Sequence, residues 1–227
     1  AELKRLFAGY VGAKQRHSVL DYDDLLACWA AMMDEPRLAA EIGATPVSVV
    51  DAARSGEIVV IAIPTKAVAD LPRGLFANVP SSVVVIDTGN YHPELRDGRI
   101  DAIDRGMPDS QWVAQQIGRP VIKAFNNIFA KSLLEKGVPR RTTGRIALSV
   151  AGDSLDAKAA VLRLVDDLGF DPVDGGDLDE SWRQQPGTPA YCQDLEAAAL
   201  RRALAEAEAR MRDVDERGRE AALSAVA

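Results

Sequence analysis

The sequence predicts an α/β protein: a doubly wound, mostly parallel sheet with helices on both faces and a C-terminal helical extension. Two observations lead to this fold class. Short apolar runs alternate with amphipathic stretches from position 44 onward. The apolar runs are nearly continuous, as expected for strands that are buried on both faces of a parallel sheet. Alternation of strands and helices in this manner is typical of doubly wound folds.

Five segments are predicted as strands because they are short, apolar and flanked by residues that break helices. They are 57–64 (EIVVIAIP), 81–89 (SSVVVIDTG), 119–125 (RPVIKAF), 144–152 (GRIALSVAG) and 170–174 (FDPVD).

Helical patterns lie between these strands, at 109–118, 127–137 and 153–169, and each ends in a glycine suited to a C-cap. The pattern at 153–169 is the clearest. We expect this helix to begin at Asp153 or Ser154 and to carry Ala160, Leu164 and Leu168 on one face.

The sequence changes in character after position 176. Residues 1–176 form the predicted α/β domain, in which 1–43 fit the strand–helix pattern least. Residues 177–227 consist of an irregular polar connection followed by a segment rich in helix-forming residues. Because such a helix often serves as a dimer arm or a surface brace, we expect a homo-oligomer.

Charge and composition exclude several classes of function. The net charge of −7 disfavours binding to a nucleic-acid backbone, which needs a basic face. Arg140, Arg141 and Arg145 form a local basic cluster, which we interpret as a solvated loop. Two cysteines and two histidines without ligand spacing predict no metal site. Without an apolar run of membrane-spanning length or a signal-like start, a cytoplasmic protein is expected.

The residues after the apolar runs are the first candidates for a site, because open parallel sheets bind ligands outside the carboxyl ends of their strands. After the first run, Pro64 can turn the chain out of the strand, and Thr65 can cap a short helix. Backbone amides at such a helix start can face an anion. Many α/β proteins end a strand in this way, so the feature alone is a weak signal.

The second run is followed by DTGNYHPE. Asp87, Thr88 and Asn90 place polar groups at a strand end, and Gly89 permits close approach of the backbone. The alternative is a turn that Asp87 or Thr88 caps, with Asn90 in the left-handed conformation. His92 is interpreted as a surface histidine, because the sequence places no carboxylate beside it.

The third run is followed by KAFNN. Lys123, Phe125 and Asn126 can line a slot of nicotinamide size. The alternative has Asn126 or Asn127 capping the next helix, with Phe125 and Phe129 in the core.

The stretch SWRQQPGTPAYC, at 181–192, contains Trp182, Arg183, Gln184 and Tyr191. These residues either close over a planar ligand or pack the C-terminal helix against the sheet, and we expect Trp182 to be buried. The sequence shows no nucleophile with a base, no carboxylate pair and no P-loop. No catalytic side chain is therefore predicted.

The order of these motifs resembles the coenzyme F420-dependent NADP oxidoreductase family, which consists of small Rossmann proteins. The resemblance covers roughly positions 37 to 195 and rests on AEIGATPVSVVDAARSGEIVVIAIPTKAV, VVIDTGNYHPE, VIKAFNNIFA, SVAGDSLDAKAAVLRLVDDLGFDPVDGGDL and SWRQQPGTPAYC in that order.

The resemblance implies a Rossmann-like fold and direct hydride transfer between NADP(H), or NAD(H), and a second bound redox molecule such as deazaflavin F420 or a flavin. It implies cofactor contacts at three places. Those flanking the dinucleotide are Ile63, Pro64 and Val68; those near its ribose or nicotinamide are Thr88 and Asn90; those bordering the hydride-transfer site are Lys123, Ala124, Phe125 and Asn126.

The family usually begins with an apolar strand that runs into G-x-G-x-x-G. Here the corresponding stretch is F-A-G-Y-V-G, in which Gly9 and Gly12 keep the second and third positions and are predicted to contact the cofactor. Phe7 takes the first position, where a side chain would obstruct the pyrophosphate. Two hypotheses follow: an NAD(P)-dependent oxidoreductase, or a dinucleotide-fold protein with an impaired cofactor site that acts as a binding, regulatory or self-associating module.

Overall fold

The computed structural model describes residue 45 and residues 47–207. The chain divides into two compact units, Ala1–Asp51 and Ala52–Ala227, and the second contains every strand reported below. Gly9 and Gly12, the unusual segment 1–43 and the end of the predicted C-terminal helix lie outside the described residues. The domain bounds expected from the sequence, 1–176 and 177–227, extend into those residues and stay a prediction.

Five strands form where the apolar runs predict them. Strands β1 (Ile58–Ile61), β2 (Val84–Asp87) and β3 (Ile122–Lys123) pair in parallel in the order β1-β2-β3. Strands β4 (Ala147–Val150) and β5 (Asp171–Asp174) form a second parallel pair. An antiparallel bridge between Lys123 and Ala151 joins β3 to the end of β4. The mostly parallel Rossmann-like α/β fold predicted from the sequence is confirmed.

Helices alternate with these strands. The α-helices are α1 (Val49–Ser55), α2 (Asp101–Asp104), α3 (Asp109–Ile117), α4 (Ala130–Glu135), α5 (Leu155–Asp167) and α6, which covers residues 197–207. Short 3₁₀ helices cover Thr65–Asp70 and Leu178–Gln184, and a π-helical turn covers Pro93–Asp97. The three helical patterns between the predicted strands thus correspond to α3, α4 and α5. In the described part of the chain, no helix is both long and apolar enough to span a membrane.

Helix α5 begins as its sequence predicts. The Ser154 hydroxyl caps it by accepting the N–H of Ala157 at 3.3 Å. Val161 and Val165 are buried, and Leu164 of the expected face is partly buried and packs against the same cluster, whereas Leu168 is 49% exposed. The physical reason is that Leu168 is the C-terminal capping residue, beyond the last helical residue Asp167, so the helical spacing does not extend to it.

The core lies on both sides of β4, because successive residues of a strand face opposite sides of the sheet. Leu148 belongs to a buried cluster with Val161 and Val165 of α5, and neighbouring Ala147 belongs to another with Leu200 of α6. Helices therefore cover both faces at β4, as predicted. The C-terminal segment contributes to the core through α6.

Two expectations about side chains are wrong. Phe129 is 57% exposed and precedes α4 as its N-terminal residue, so it is not in the core, and no asparagine side chain caps that helix. Arg145 is not part of a solvated loop. Its guanidinium is buried and contacts the carboxylates of Asp166 and Asp171 at 2.9 and 2.7 Å. Its ion pairs require acidic residues more than twenty positions away, which a local reading of the basic cluster does not include.

Candidate functional site

The carboxyl ends of β1, β2 and β3 lie side by side, because the three strands are parallel and in register. The chain leaves them through Pro64, Thr88 and Phe125, respectively. This edge is the place where open parallel sheets bind ligands. We call it the strand-end site, and it comprises the residues from Ile63 to Val68, from Asp87 to Asn90 and from Lys123 to Asn126.

The first contact within the strand-end site joins the ends of β1 and β2. Thr88 donates two hydrogen bonds to the carbonyl of Ile61, from its backbone N–H at 3.2 Å and from its hydroxyl at 3.1 Å. Thr88 is therefore held by both its backbone and its side chain. Its hydroxyl oxygen keeps lone pairs that can accept a hydrogen bond from a ligand.

Asn90 and Asn126 join the loops that follow β2 and β3. The Asn90 amide donates to the backbone carbonyl of Asn126 at 3.1 Å, and the Asn126 amide donates to the side-chain oxygen of Asn90 at the same distance. Asn126 also donates to the backbone carbonyl of Gln184 at 2.8 Å and accepts from the Gln184 side chain at 2.8 Å. The buried Asn126 side chain thus uses both of its donors within the protein.

Asp87 closes the turn after β2. One carboxylate oxygen accepts the N–H of Gly89 at 2.9 Å, and the other accepts the hydroxyl of Ser110 at 2.5 Å. This is the capping interpretation of the motif, and it places the carboxylate against its own loop. Asn90 is not among the described residues with positive φ, so the left-handed conformation considered for it does not occur.

Lys123 lies beneath this turn with no exposed surface on its side chain. Its ammonium donates to the carbonyl of Gly89 at 2.6 Å, to Asp109 at 2.9 Å and to Asp87 at 3.3 Å. Burial disfavours the ammonium, but the carboxylates of Asp109 and Asp87 outweigh it and raise the pKa of Lys123 above its usual value. Lys123 is therefore a fully partnered cation inside the protein.

A second charged side chain, Arg96, contacts the loop that follows β2. The Arg96 guanidinium donates to the backbone carbonyl of Asn90 at 2.6 Å and contacts the Asp97 carboxylate at 3.0 Å. Burial opposes ionisation of Asp97, but hydrogen bonds from Arg96 and from the backbone N–H groups of His92 and Lys66 lower its pKa below the usual 3.8. The π-helical turn is thereby tied to the strand-end site.

The structure locates the remaining predicted cofactor residues as follows. Ile63 is partly exposed, whereas Val68 and Ala124 are buried. Pro64 precedes the first 3₁₀ helix. Phe125 adopts a φ of +63°, a conformation that is uncommon for an aromatic residue and that recurs at binding sites. Contacts between these residues and a cofactor stay a prediction.

Three residues that contact this site were not predicted from the sequence: Arg96, Asp109 and Ser110. A fourth contact, Gln184, lies in the predicted 181–192 stretch, but its bonds to Asn126 were not predicted. Asp109 and Ser110 open α3, where they read as an ordinary helix start. Their partners, Lys123 and Asp87, are 14 and 23 positions away. The sequence signal that could have indicated them is Lys123 itself, a lysine within an apolar strand. Burial of such a lysine requires a carboxylate partner from elsewhere in the fold.

A cavity of about 630 Å³ adjoins the network. Met107, Pro108, Trp182 and Gln185 contribute to its lining. The amide of Gln185 donates to Asp109 at 2.8 Å, so one wall of the cavity is connected to the Lys123 ion pairs. Among the described residues, no group of three or more histidine, cysteine, aspartate or glutamate side chains is arranged to hold a metal ion.

A comparison with known protein families agrees with this geometry. Residues 29–91, which include β1, β2 and the turn after β2, match the model of the family described as NADP oxidoreductase, coenzyme F420-dependent. Over this segment the chain is similar to that family. The match agrees, over the part of the chain that it covers, with the resemblance predicted from the order of motifs.

Individual relatives match parts of the chain. The protein YjhV of Escherichia coli (strain K12) is 51% identical over 86 residues, which are 38% of this chain and 56% of that protein. The chain therefore matches little more than half the length of this curated relative. The crystal structure of a hypothetical protein, SMa0349 from Sinorhizobium meliloti, is 27% identical with a TM-score of 0.56 and covers 70% of this chain and 77% of that chain.

A candidate F420-dependent NADP-reductase from Arthrobacter sp. FB24 is 19% identical with a TM-score of 0.46, covering 63% of this chain and 66% of that chain.

Proposed function

We propose that this protein is an NAD(P)-dependent oxidoreductase that transfers a hydride between NADP(H) and a second bound redox molecule, a deazaflavin or a flavin. The observation that carries the proposal is the strand-end site, in which Thr88 and Asn90 are held at the carboxyl ends of parallel strands. The family match over residues 29–91 supports a dinucleotide as the ligand. NADP is the expected cofactor, and NAD is the alternative.

Two features of the strand-end site test whether its residues fit a dinucleotide. The hydroxyl of Thr65 is buried and has no partner among the described residues, so a hydrogen-bonding group is left over at this edge. A Cβ on Gly89 would lie 3.6 Å from that hydroxyl and 2.9 Å from the Asp87 carboxylate. Because Gly89 has no side chain, its backbone lies close to the unpartnered Thr65 hydroxyl. A buried hydroxyl without a partner fits a polar ligand that binds at the ends of these strands.

The residues of the chain bind and orient rather than react. Thr88 and Asn90 offer hydroxyl and amide groups to the ribose or the nicotinamide, and Pro64 flanks the dinucleotide. The backbone of Phe125 borders the place of transfer. When bound, the nicotinamide supplies the hydride chemistry. The protein contributes alignment and exclusion of water, and no side chain has to exchange a proton.

The second candidate is a dinucleotide-fold protein with an impaired cofactor site, acting as a binding, regulatory or self-associating module. It is favoured by Phe7, which occupies the first position of the glycine-rich turn. A phenyl side chain there would obstruct the close approach of the pyrophosphate.

Titration with NADPH and with NADH, followed by cofactor fluorescence, separates the two candidates. We expect saturable micromolar binding of NADPH and a loss of at least tenfold in affinity in Asn90→Ala. Asn78→Ala is the matched control, because Asn78 is an exposed asparagine in the segment that leads into the amino end of β2. Absence of binding to either dinucleotide at millimolar concentration would reject the oxidoreductase in favour of the second candidate.

We also propose that the protein is a cytoplasmic homo-oligomer whose partner is a small redox substrate and which binds neither nucleic acid nor a membrane. The net charge of −7 supports the absence of a nucleic-acid partner. Light scattering coupled to size-exclusion chromatography tests the oligomer, and a monomer at all concentrations would contradict it.

A further inference from the structure

All three N–H donors of the Lys123 ammonium have acceptors within the protein. A lysine has three N–H donors, and those of Lys123 contact Gly89, Asp109 and Asp87. No donor is left for a ligand, and the side chain has no exposed surface. Lys123 therefore presents no hydrogen-bond donor to a ligand at the strand-end site, although it belongs to that site by position.

The ion pair between Lys123 and Asp87 holds Gly89 from both sides. Asp87 accepts the N–H of Gly89 at 2.9 Å, which fixes the peptide between Thr88 and Gly89. Lys123 donates to the carbonyl of Gly89 at 2.6 Å, which fixes the peptide between Gly89 and Asn90. Thr88 and Asn90, which are proposed to contact the cofactor, are thus the two neighbours of Gly89. We call this arrangement of a lysine and an aspartate on one glycine a clamp.

The same clamp occurs a second time in the chain, at the end of β5. Asp174 accepts the N–H of Gly176 at 2.9 Å, and Lys158 donates to the carbonyl of Gly176 at 3.1 Å and contacts Asp174 at 3.0 Å. This second clamp holds no residue predicted to contact the cofactor. It provides an internal control with the same residue types in the same arrangement.

The clamp at β2 differs from the second one by a further carboxylate. Asp109 accepts from Lys123, and its own position is fixed by the amide of Gln185 at 2.8 Å. The β2 clamp thereby joins β2, β3 and the start of α3. For the clamp at β5, the described residues show no second carboxylate on Lys158, and the Asp174 side chain is 58% exposed.

We propose that Lys123 is a positioning residue that sets the conformation of the Thr88–Asn90 loop for cofactor binding. It acts through Gly89, and Asp109 anchors its ammonium to α3. The consequence for cofactor affinity rests on the proposed function, whereas the hold on the loop does not. The residue thus has a role in the site without touching the ligand.

The experiment compares Lys123→Met with Lys158→Met. Because Lys123→Met leaves two buried carboxylates without a cation, Lys123→Met/Asp109→Asn is included, which removes one positive and one negative charge together. Three readouts are taken for each: the melting temperature, the amide hydrogen exchange of residues 88–90 without cofactor, and the Kd for NADPH. The full chain is used throughout.

We expect the amides of residues 88–90 to exchange at least tenfold faster in the Lys123 variants, and the Kd for NADPH to rise at least tenfold. Lys158→Met should leave both within twofold of the parent, even where its melting temperature falls. If the double variant folds and retains both the slow exchange and the NADPH affinity, the proposal is wrong. Equal effects of the Lys158 and Lys123 variants on both readouts would reduce Lys123 to a general structural role and also overturn it.

Failure of the proposed function is a separate result. If the parent protein binds no NADPH, the affinity readout disappears, and the exchange of residues 88–90 decides the role of Lys123 by itself. Faster exchange in the Lys123 variants alone would then support the clamp without a cofactor, and unchanged exchange would reject it.

Discussion

Replacing Asn126 by alanine tests the network that joins the loops after β2 and β3. The side chain makes three hydrogen bonds, one with Asn90 and two with Gln184. Their removal costs about 1 kcal/mol net per bond, or about 3 kcal/mol in total. The buried Gln184 amide would also lose a partner for its N–H, so we take about 3 kcal/mol as the lower limit of the destabilisation.

Asn127 supplies a matched control beside it. It is the same residue type and is equally buried, but neither polar atom of its side chain has a partner in the part of the chain that the structure describes. Asn127→Ala therefore removes no hydrogen bond and relieves two unsatisfied groups. We expect its change in unfolding free energy to lie within about 1 kcal/mol of zero, since only a small cavity opposes that relief.

The assay is urea unfolding followed by far-UV circular dichroism, with both variants and the parent protein compared by linear extrapolation. We predict that the unfolding free energy of Asn126→Ala is lower than that of Asn127→Ala by at least about 2 kcal/mol. Equal stability of the two variants would refute it, because the difference rests on the hydrogen bonds alone.

The remaining predictions concern charge and core packing. Asp97→Asn should cost about 1–3 kcal/mol at pH 7, the value of hydrogen bonds to a charged group. The folded-state pKa of Asp97 lies below the usual 3.8, so this contribution is fully present above 3.8 and is lost as the pH falls through the folded pKa. The stabilities of variant and parent should therefore begin to converge only below pH 3.8. Arg145→Met should cost about 2–3 kcal/mol, less than a fully buried pair because its carboxylate partners are partly exposed, and an unchanged urea midpoint would contradict the ion-pair assignment. Phe170→Ala, at a fully buried position, should cost about 3–5 kcal/mol by the same assay, and a loss below about 1 kcal/mol would count against its place in the core.

The fold was accessible from the sequence because its signals are local. A buried parallel strand has to be apolar on both faces, so the run around Val85 and Ile86 is recognisable without knowledge of its neighbours. The same holds for the Ser154 cap of α5, which depends on residues three positions apart. Errors arose at helix ends: Leu168, placed by helical spacing, and Phe129, placed in the core by the alternative interpretation of KAFNN, are both exposed capping residues.

The candidate site was accessible only in part. The sequence indicates which segments leave the strands at their carboxyl ends, and the structure brings those segments together. The sequence could not assign partners to Lys123, because Asp109 lies at the start of a helix, 14 positions earlier in the chain. Hydrogen-bond partners across such distances depend on how the chain returns to the sheet, and no local spacing encodes that.

The sequence by itself thus determined the α/β class, the order of the strands along the chain, the resemblance to the family whose model matches residues 29–91, and the edge at which such folds bind ligands. Each of these follows from apolar runs, turn residues and the order of motifs, which are properties of neighbouring residues. Only the tertiary structure decided that Lys123 is buried behind the Thr88–Asn90 loop. The reason is physical: a buried ammonium needs carboxylate and carbonyl partners on several elements at once, and these meet only when the sheet and α3 have packed.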